Sequence, residues 1–540
     1  MFSLRSYYAL LSLALLTTIF LGCGRFEKQN YAPATTAPAG RALNSPAPAA
    51  LSEMAPSADE AAVEQTGAFN TESYDRIDEN PFVKVVQQPL STFSIDVDTA
   101  SYPNVRRFLN NGSLPPKDAV RIEELINYFN YYDAPPADDT PFAVHTEVAA
   151  CPWQPEHRLL RIGLKGREID LENRPASNLV FLLDVSGSMN EPAKLPLLKS
   201  ALHLLVDQLG ENDRVAIVVY AGASGLALPP TSGLYKETIL AALDQLEAGG
   251  STNGGSGIHL AYQTARTNSL KGGTNRVILC TDGDFNVGVT DQGSLTRLIE
   301  DEAKGGVFLS VLGFGSGNLK DSTMEKLADR GNGNYAYIDN ISEARKVLVE
   351  QLGGTLLTIA KDVKLQLEFN PQRIAAYRLI GYENRLLRAE DFNDDKKDAG
   401  EIGAGHTVTA MYEIVPAGGD AESAAVATGT VDDLKYQRTG EPTEVAANDE
   451  LLTLKLRYKE PDGDSSQRIE SVVKDNEHSY AQASEDFRFA AAVAGFGMLL
   501  RGSQHQGNLT LAAVQELAEA SLGADENGYR TELVELVKKA

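Results

Sequence analysis

Residues 178–190 read NLVFLLDVSGSMN, and the fold of the chain is decided by how this stretch is read. It opens with an uninterrupted apolar run, 179–183, and closes on Asp184-Val185-Ser186-Gly187-Ser188. A short apolar run bounded by turn residues suits a strand buried on both faces of a parallel sheet. The loop that leaves the strand's carboxyl end then carries Asp184, Ser186 and Ser188, and open α/β sheets place their ligands at that edge. Three hard oxygen donors spaced two apart around a glycine can be aimed at one point by a tight loop. Such a set suits a hard cation such as Mg²⁺, which takes one or two carboxylates and keeps its other positions for water or a ligand.

Two later pieces belong to the same reading. Residues 249–258, GGSTNGGSGI, form a glycine-dense loop with Thr252, and residues 275–286, NRVILCTDGDFN, form a second apolar strand that ends in Asp282. The order Asp-x-Ser-x-Ser, then Thr, then Asp after a later strand resembles the metal-ion-dependent adhesion site of von Willebrand factor type A domains. The resemblance implies that Asp184, Ser186, Ser188, Thr252 and Asp282 hold one divalent cation, Mg²⁺ or else Mn²⁺ or Ca²⁺, directly or through water. It also implies a protein ligand whose carboxylate completes the shell. Alone, an Asp-x-Ser-x-Ser carries little weight, because these residues often only cap helices. The matching Thr and Asp in an alternating α/β pattern supply the rest. The glycine loops at 249 and 313 lack the Gly-Lys-Ser/Thr ending and the dinucleotide spacing, and read as turns.

Over 176–352, apolar strands alternate with helical patterns, which predicts a doubly wound, mostly parallel sheet. Strands are expected at 213–220, 307–312 and 335–338, with helices at 195–209, 235–247, 257–267 and 291–304 and a short antiparallel edge at 225–228. Residues 353–480 change to strands separated by turns, an all-β, sandwich-like pattern with Asp462-Gly463 as a hairpin turn. Its acidic run at 390–398 reads as a solvated loop. Residues 481–540 are helical, and 487–500 is nearly all apolar but too short to span a bilayer, so it is expected to pack on another domain. The lone Trp153 reads as a packing anchor.

Residues 73–140 read as a small α/β module. Asp98 and Ser101 stand where they can cap a helix ahead of Pro103 or join a second cation site, capping being the simpler reading. The string PLSTFSIDVDTASYPNVRRFLNNGSLPPKDAVRIEELINYF resembles an N-terminal segment of one bacterial family of type A domain lipoproteins. KDVKLQLEFNPQRIAAYRLIGYENRLL resembles that family's C-terminal domain of unknown function. Residues 141–175 contain two strands, and a lone hairpin is marginal in water. They are therefore expected to complete the sheet system that follows residue 357, with the type A domain as an insertion.

The N-terminus has a charged start at Arg5, an apolar stretch over 8–21, and Cys23. Residues 1–23 resemble a bacterial lipoprotein signal, which implies lipidation of Cys23, and Gly24 resembles the pattern that directs such proteins to the outer membrane of the cell envelope. A cleaved secretory signal or an uncleaved anchor is the alternative. Residues 24–72, rich in Ala and Pro, are expected to be a disordered tether. Asp and Glu outnumber Lys and Arg by 74 to 49 in 540 residues, for a net charge of −25. That balance argues against nucleic acid as a partner. With Cys23 lipidated, Cys151 and Cys280 remain: Cys280, inside an apolar strand, is expected to fill core, a Cys151–Cys280 bridge is not expected, and no His pattern points to zinc.

Neutral Ser and Thr donors leave a cation electrophilic, and no nucleophile–base pair accompanies them. The reading is therefore a binding protein, not an enzyme: a cation-dependent adhesion or scaffold module. The rivals are an envelope scaffold whose metal only stabilises loops and a metal-dependent hydrolase in which Asp282 or Asp284 handles water.

Overall fold

The computed structural model describes residues 71–169, 174–250, 254–283, 292–418, 444–461 and 463–540. The first elements are β1 (Val83–Lys84), β2 (Leu90–Ser94), α1 (Ser101–Asn110), α2 (Ile122–Asn127), β3 (Phe142–Ala150) and β4 (Arg158–Gly166). The central α/β domain follows. It contains β5 (Ser177–Asp184), α3 (Leu195–Asp207), β6 (Arg214–Tyr220), β7 (Ser224–Ser232), α4 (Lys236–Asp244) and α5 (Gly254–Thr267). It continues with β8 (Thr274–Thr281), α6 (Gln292–Lys304), β9 (Phe308–Phe314), α7 (Asp321–Arg330) and β10 (Tyr335–Ile338).

These strands form a six-stranded sheet in the order β10-β9-β8-β5-β6-β7. All pairings are parallel except that of β7. Every residue of β5 is buried. Leu179, Phe181 and Leu183 share a core with Leu198, Leu202 and Leu205 of α3. Val180 and Leu182 share the opposite core with Ile258, Ala261 and Tyr262 of α5. Helices on both faces explain why the run is continuously apolar and not alternating. Burying a side chain such as Phe181 contributes about 1.5–3 kcal/mol. β7 runs well beyond the expected 225–228, and its Pro229 and Pro230 are tolerated because it is the edge strand.

The remaining strands are β11 (Thr358–Phe369), β12 (Ile374–Ile380), β13 (Leu386–Leu387), β14 (Gly400–Gly403), β15 (Thr407–Pro416), β16 (Glu450–Lys459) and β17 (Gln467–Lys474). They build two antiparallel sheets, β1-β12-β15-β4-β3 and β13-β2-β11-β16-β17, with β14 also on β11. β4 pairs with β15 from Arg158↔Ile414 to Lys165↔Thr407. The hairpin β3–β4 thus lies in a sheet whose other strands come from both sides of the central domain. Between the sheets, Phe93, Ile162, Leu164, Leu365, Leu367, Tyr412, Leu454 and Leu456 form one core. Phe369 stacks on Tyr377 with ring centroids 4.0 Å apart.

Segment 73–140, expected as a module of its own, is instead shared out. β1 joins the edge of one sheet and β2 an interior position of the other, paired with β11 from Leu90↔Glu368 to Ser94↔Lys364. Two short strands cannot cover themselves, and four of the five β2 residues are buried only because both sheets close over them. The capping role expected of Asp98 and Ser101 is also not what the structure has. Ala100 occupies the N-cap of α1, and no side chain caps that helix. Asp98 Oδ1 accepts from Tyr335 N at 2.8 Å, and Ser101 Oγ donates to Ala119 O at 2.7 Å. Both residues spend their hydrogen bonds on joining segments rather than on a helix end.

The apolar C-terminal helix Glu485–Arg501 starts at Ser484, whose Oγ accepts from Phe487 N at 3.1 Å, and stops at Gly502 with φ +65°. It packs on α2, so closely that a Cβ at Gly497 would come within 2.9 Å of Ile122. Phe489 meets the Phe129 ring edge-on at 4.9 Å. Helices Leu511–Glu519 and Tyr529–Lys539 complete this layer. Trp153 is fully buried and donates from Nε1 to Glu413 at 3.1 Å. Cys151 and Cys280 are free and buried. In the 390–398 run Asp391 is buried and paired with Arg388, while Asp394 and Asp395 face solvent. Of the expected hairpin turn, Asp462 lies outside the described residues, and Gly463 N donates to Glu460 O at 2.9 Å.

Candidate metal centre

β5 delivers Asp184 to the carboxyl edge of the sheet, and the chain then turns sharply. Asp184 Oδ1 accepts from Ser186 N at 2.9 Å, which folds the loop back over its own carboxylate. That turn brings Ser186 Oγ to 3.1 Å from Ser188 Oγ. Ser186 is buried and Ser188 exposed, so the hydroxyl pair leads from the interior to the surface. Two backbone bonds clamp the loop to the segment before α5: Gly187 N to Gly250 O at 3.1 Å and Gly249 N to Val185 O at 2.8 Å. β8, the neighbour of β5, carries Thr281, whose Oγ1 donates to Asp184 Oδ2 at 3.3 Å, and then Asp282.

Both carboxylates are fully buried. Burial pushes the Asp184 carboxyl up to about 6, and the nearby charge of Asp282 pushes in the same direction. Hydrogen bonds from Ser186 and Tyr220 hold it down only in part. Two sealed carboxylates this close are short of positive charge. With two hydroxyls beside them, they form an oxygen-only donor set that a hard divalent cation can use.

Lys194 supplies part of that charge. Its Nζ lies 3.1 Å from Asp282 Oδ2, 3.3 Å from Glu191 Oε1 and 3.5 Å from Asn318 Oδ1, and its side chain is only 3% exposed. Asn318 belongs to the loop after β9, which is held from outside by the start of the described chain. Thr71 N donates to Gly317 O at 2.6 Å and Ser73 N to Leu319 O at 3.0 Å.

Asp184, Ser186, Ser188 and Asp282 thus stand at one edge of one sheet. Thr252, Asp284 and Cys23 lie outside the described residues. Lys194, Tyr220 and Thr281 are the participants that reading the motif missed. For Lys194 a signal existed, since it stands four residues before Leu198 and eight before Leu202, in line with the buried stripe of α3. A lysine on an apolar stripe needs a buried partner.

A second group of carboxylates, Asp96, Glu124 and Glu325, brings ligand atoms within 4.8 Å of one another. Its oxygens are already engaged. Asp96 accepts from Asp98 N at 2.9 Å and Arg385 Nε at 3.0 Å, and Glu124 from Ser101 N at 2.7 Å and Arg121 at 3.0 Å. Glu325 accepts from Asn384 at 2.6 Å and pairs with Arg121 at 2.9 Å. This is a buried ion-pair network that ties the N-terminal segment to both domains. A polar cleft of about 950 Å³ lies at the opposite end of the parallel strands, beside Thr274 and Phe308, away from Asp184.

Residues 178–351 match the family described as von Willebrand factor type A domain, and residues 68–161 match one described as von Willebrand factor. Residues 354–540 match the family described as uncharacterized protein YfbK, C-terminal. The uncharacterized protein YfbK of Escherichia coli K12 is 46% identical over 477 residues, covering 87% of this chain and 81% of that protein. Human inter-alpha-trypsin inhibitor heavy chain H4 is 28% identical over 178 residues, 32% of this chain and 18% of that one. Among solved structures, a von Willebrand factor type A protein from Catenulispora acidiphila aligns over 72% of this chain and 89% of its own. Its TM-score is 0.40 at 16% identity.

Proposed function

Because this chain belongs to the family of the YfbK protein and carries its type A domain, we propose that it is a cation-dependent protein-binding module of the cell envelope. Type A domains are as a rule interaction modules and commonly bind a divalent metal, and the donor set at the carboxyl edge of the sheet supports the same role here. Asp184, Ser186, Ser188, Thr252 and Asp282 hold one divalent cation, Mg²⁺ or Mn²⁺. A carboxylate of a protein ligand completes its shell from the side of Ser188. The observation that carries this reading is the meeting of two fully buried carboxylates with a pair of hydroxyls 3.1 Å apart that opens to solvent.

The test is calorimetric. Wild type should bind Mg²⁺ or Mn²⁺ at one site, and Asp184→Ala or Asp282→Ala should abolish it, since each removes a formal charge from an oxygen-only site. Undiminished binding by either variant would sink the assignment. For the ligand, pull-down from envelope extract should depend on divalent cation in wild type and fail in Asp184→Ala. Partners retained in chelator would favour a scaffold with a stabilising metal, and turnover of a phosphoester would favour the hydrolase.

Membrane attachment through lipidated Cys23 is part of the same proposal. What supports it is the resemblance of residues 1–23 to a lipoprotein signal, since a lipid chain can hold a protein at a membrane without a spanning helix. Cys23→Ser should move the protein out of the membrane fraction; a variant that stays there after a high-salt wash would count against it.

A further inference from the structure

Among the described residues, the charge of the candidate metal centre is set by three groups, Asp184, Asp282 and Lys194, not by the two carboxylates alone. Lys194 sits at the N-cap position of α3 with its ammonium 3.1 Å from Asp282 Oδ2. Of its other partners, Glu191 has a side chain 60% exposed, so that pair is screened by solvent, whereas the Asp282 side chain is fully buried. The stem of Lys194 is fixed as well. It lies on Gly315, where φ is +74° and an added Cβ would come within 2.4 Å of the lysine Cγ. A buried lysine costs stability unless it is paired, and Asp282 is what pairs it. The fold therefore holds a monovalent cation against one of the two carboxylates at the cation edge.

We propose that Lys194 loosens the grip of this centre on its divalent cation and leaves the occupied centre with one net positive charge, so that an anionic ligand group is needed to neutralise it. This rests on the metal reading above and deepens it. Two carboxylates alone would neutralise a divalent cation, and water could then fill its remaining positions with no charge left to cancel. With Lys194 included, the same cation carries an uncancelled charge in a site closed off from solvent on its inner side. That charge attracts a carboxylate or phosphate and discriminates against neutral side chains. Lys194 is thus a residue that sets specificity by charge, without itself contacting the cation.

Mn²⁺ alone, followed by electron paramagnetic resonance, is the first probe. Lys194→Met should bind Mn²⁺ roughly tenfold more tightly or better, because it removes a like charge from beside the cation. Lys194→Arg should stay near wild type. Glutarate is the second probe. Added to the Mn²⁺-loaded wild type, it should displace bound water and lower the water-proton relaxation rate, and it should do so far less in Lys194→Met. A wild type that binds no Mn²⁺ would refute the underlying metal reading. A wild type that binds Mn²⁺ beside a Lys194→Met of equal or weaker affinity would refute the role of Lys194 alone. Should Lys194→Met not fold, Lys194→Gln carries the same expectations.

Discussion

Gly315 and Lys194 are packed so closely that a single methyl group at Gly315 would overlap three carbons of the lysine stem. The glycine also has φ +74°, in the left-handed region. Both features act on Lys194, the residue that pairs with Asp282, although the glycine lies far later in the chain.

Gly315→Ala should therefore do two things. The strained backbone costs about 1 kcal/mol or more, and the steric conflict with Lys194 adds to it. Thermal unfolding should show the loss. The displaced ammonium should also leave Asp282, so Mn²⁺ affinity should rise, as in Lys194→Met. A variant with wild-type affinity and wild-type melting temperature would contradict the packing described.

Glu123 gives a pH dependence with a definite sign. It is fully buried, one oxygen lacks a hydrogen-bond partner, and burial, together with the charge of Glu383, raises its carboxyl to about 7. Between its ordinary value of 4.5 and about 7 the folded state binds more protons than the unfolded state. Its contribution to stability is thus greatest at low pH and falls as pH rises through that window, by roughly 3 kcal/mol in all. Glu123→Gln should flatten this slope and gain more stability at pH 8 than at pH 5 in urea titrations. An equal gain at both values would mean that Glu123 is not the source.

Arg106 braces three regions. Its guanidinium reaches Asp339 at 2.5 Å and Glu343 at 2.7 Å in the central domain, and Glu532 at 3.1 Å in the last helix. Arg106→Ala leaves buried carboxylates without their cation and should cost about 3–5 kcal/mol in denaturant unfolding. Arg76→Ala, which removes a pair at the surface, should cost under about 1 kcal/mol. Similar losses for the two would refute the brace.

The fragment 354–540 should not fold cooperatively. β11 would lose β2, β15 would lose β4, and helix Glu485–Arg501 would lose its seat on α2. Unpaired strand edges and an uncovered apolar helix favour association over folding. A sharp urea transition for the monomeric fragment would overturn this expectation.

Some of this architecture is legible in the chain alone. Runs such as 179–183 and 277–280 are continuously apolar because both faces of their strands are covered, and that pattern already specifies a central parallel sheet. The Asp184-x-Ser186-x-Ser188 spacing is local, so one turn brings its oxygens together whatever lies elsewhere. The rest was decided by tertiary structure. That Lys194 would meet Asp282, that Asp98 would bond to Tyr335 instead of capping α1, and that β2 would sit between β13 and β11 all depend on contacts far apart in sequence. Apolar periodicity says which face of a strand or helix is buried, but not against what. For a buried charge the partner is everything, because the cost of desolvation is offset only where the fold places an opposite charge within reach.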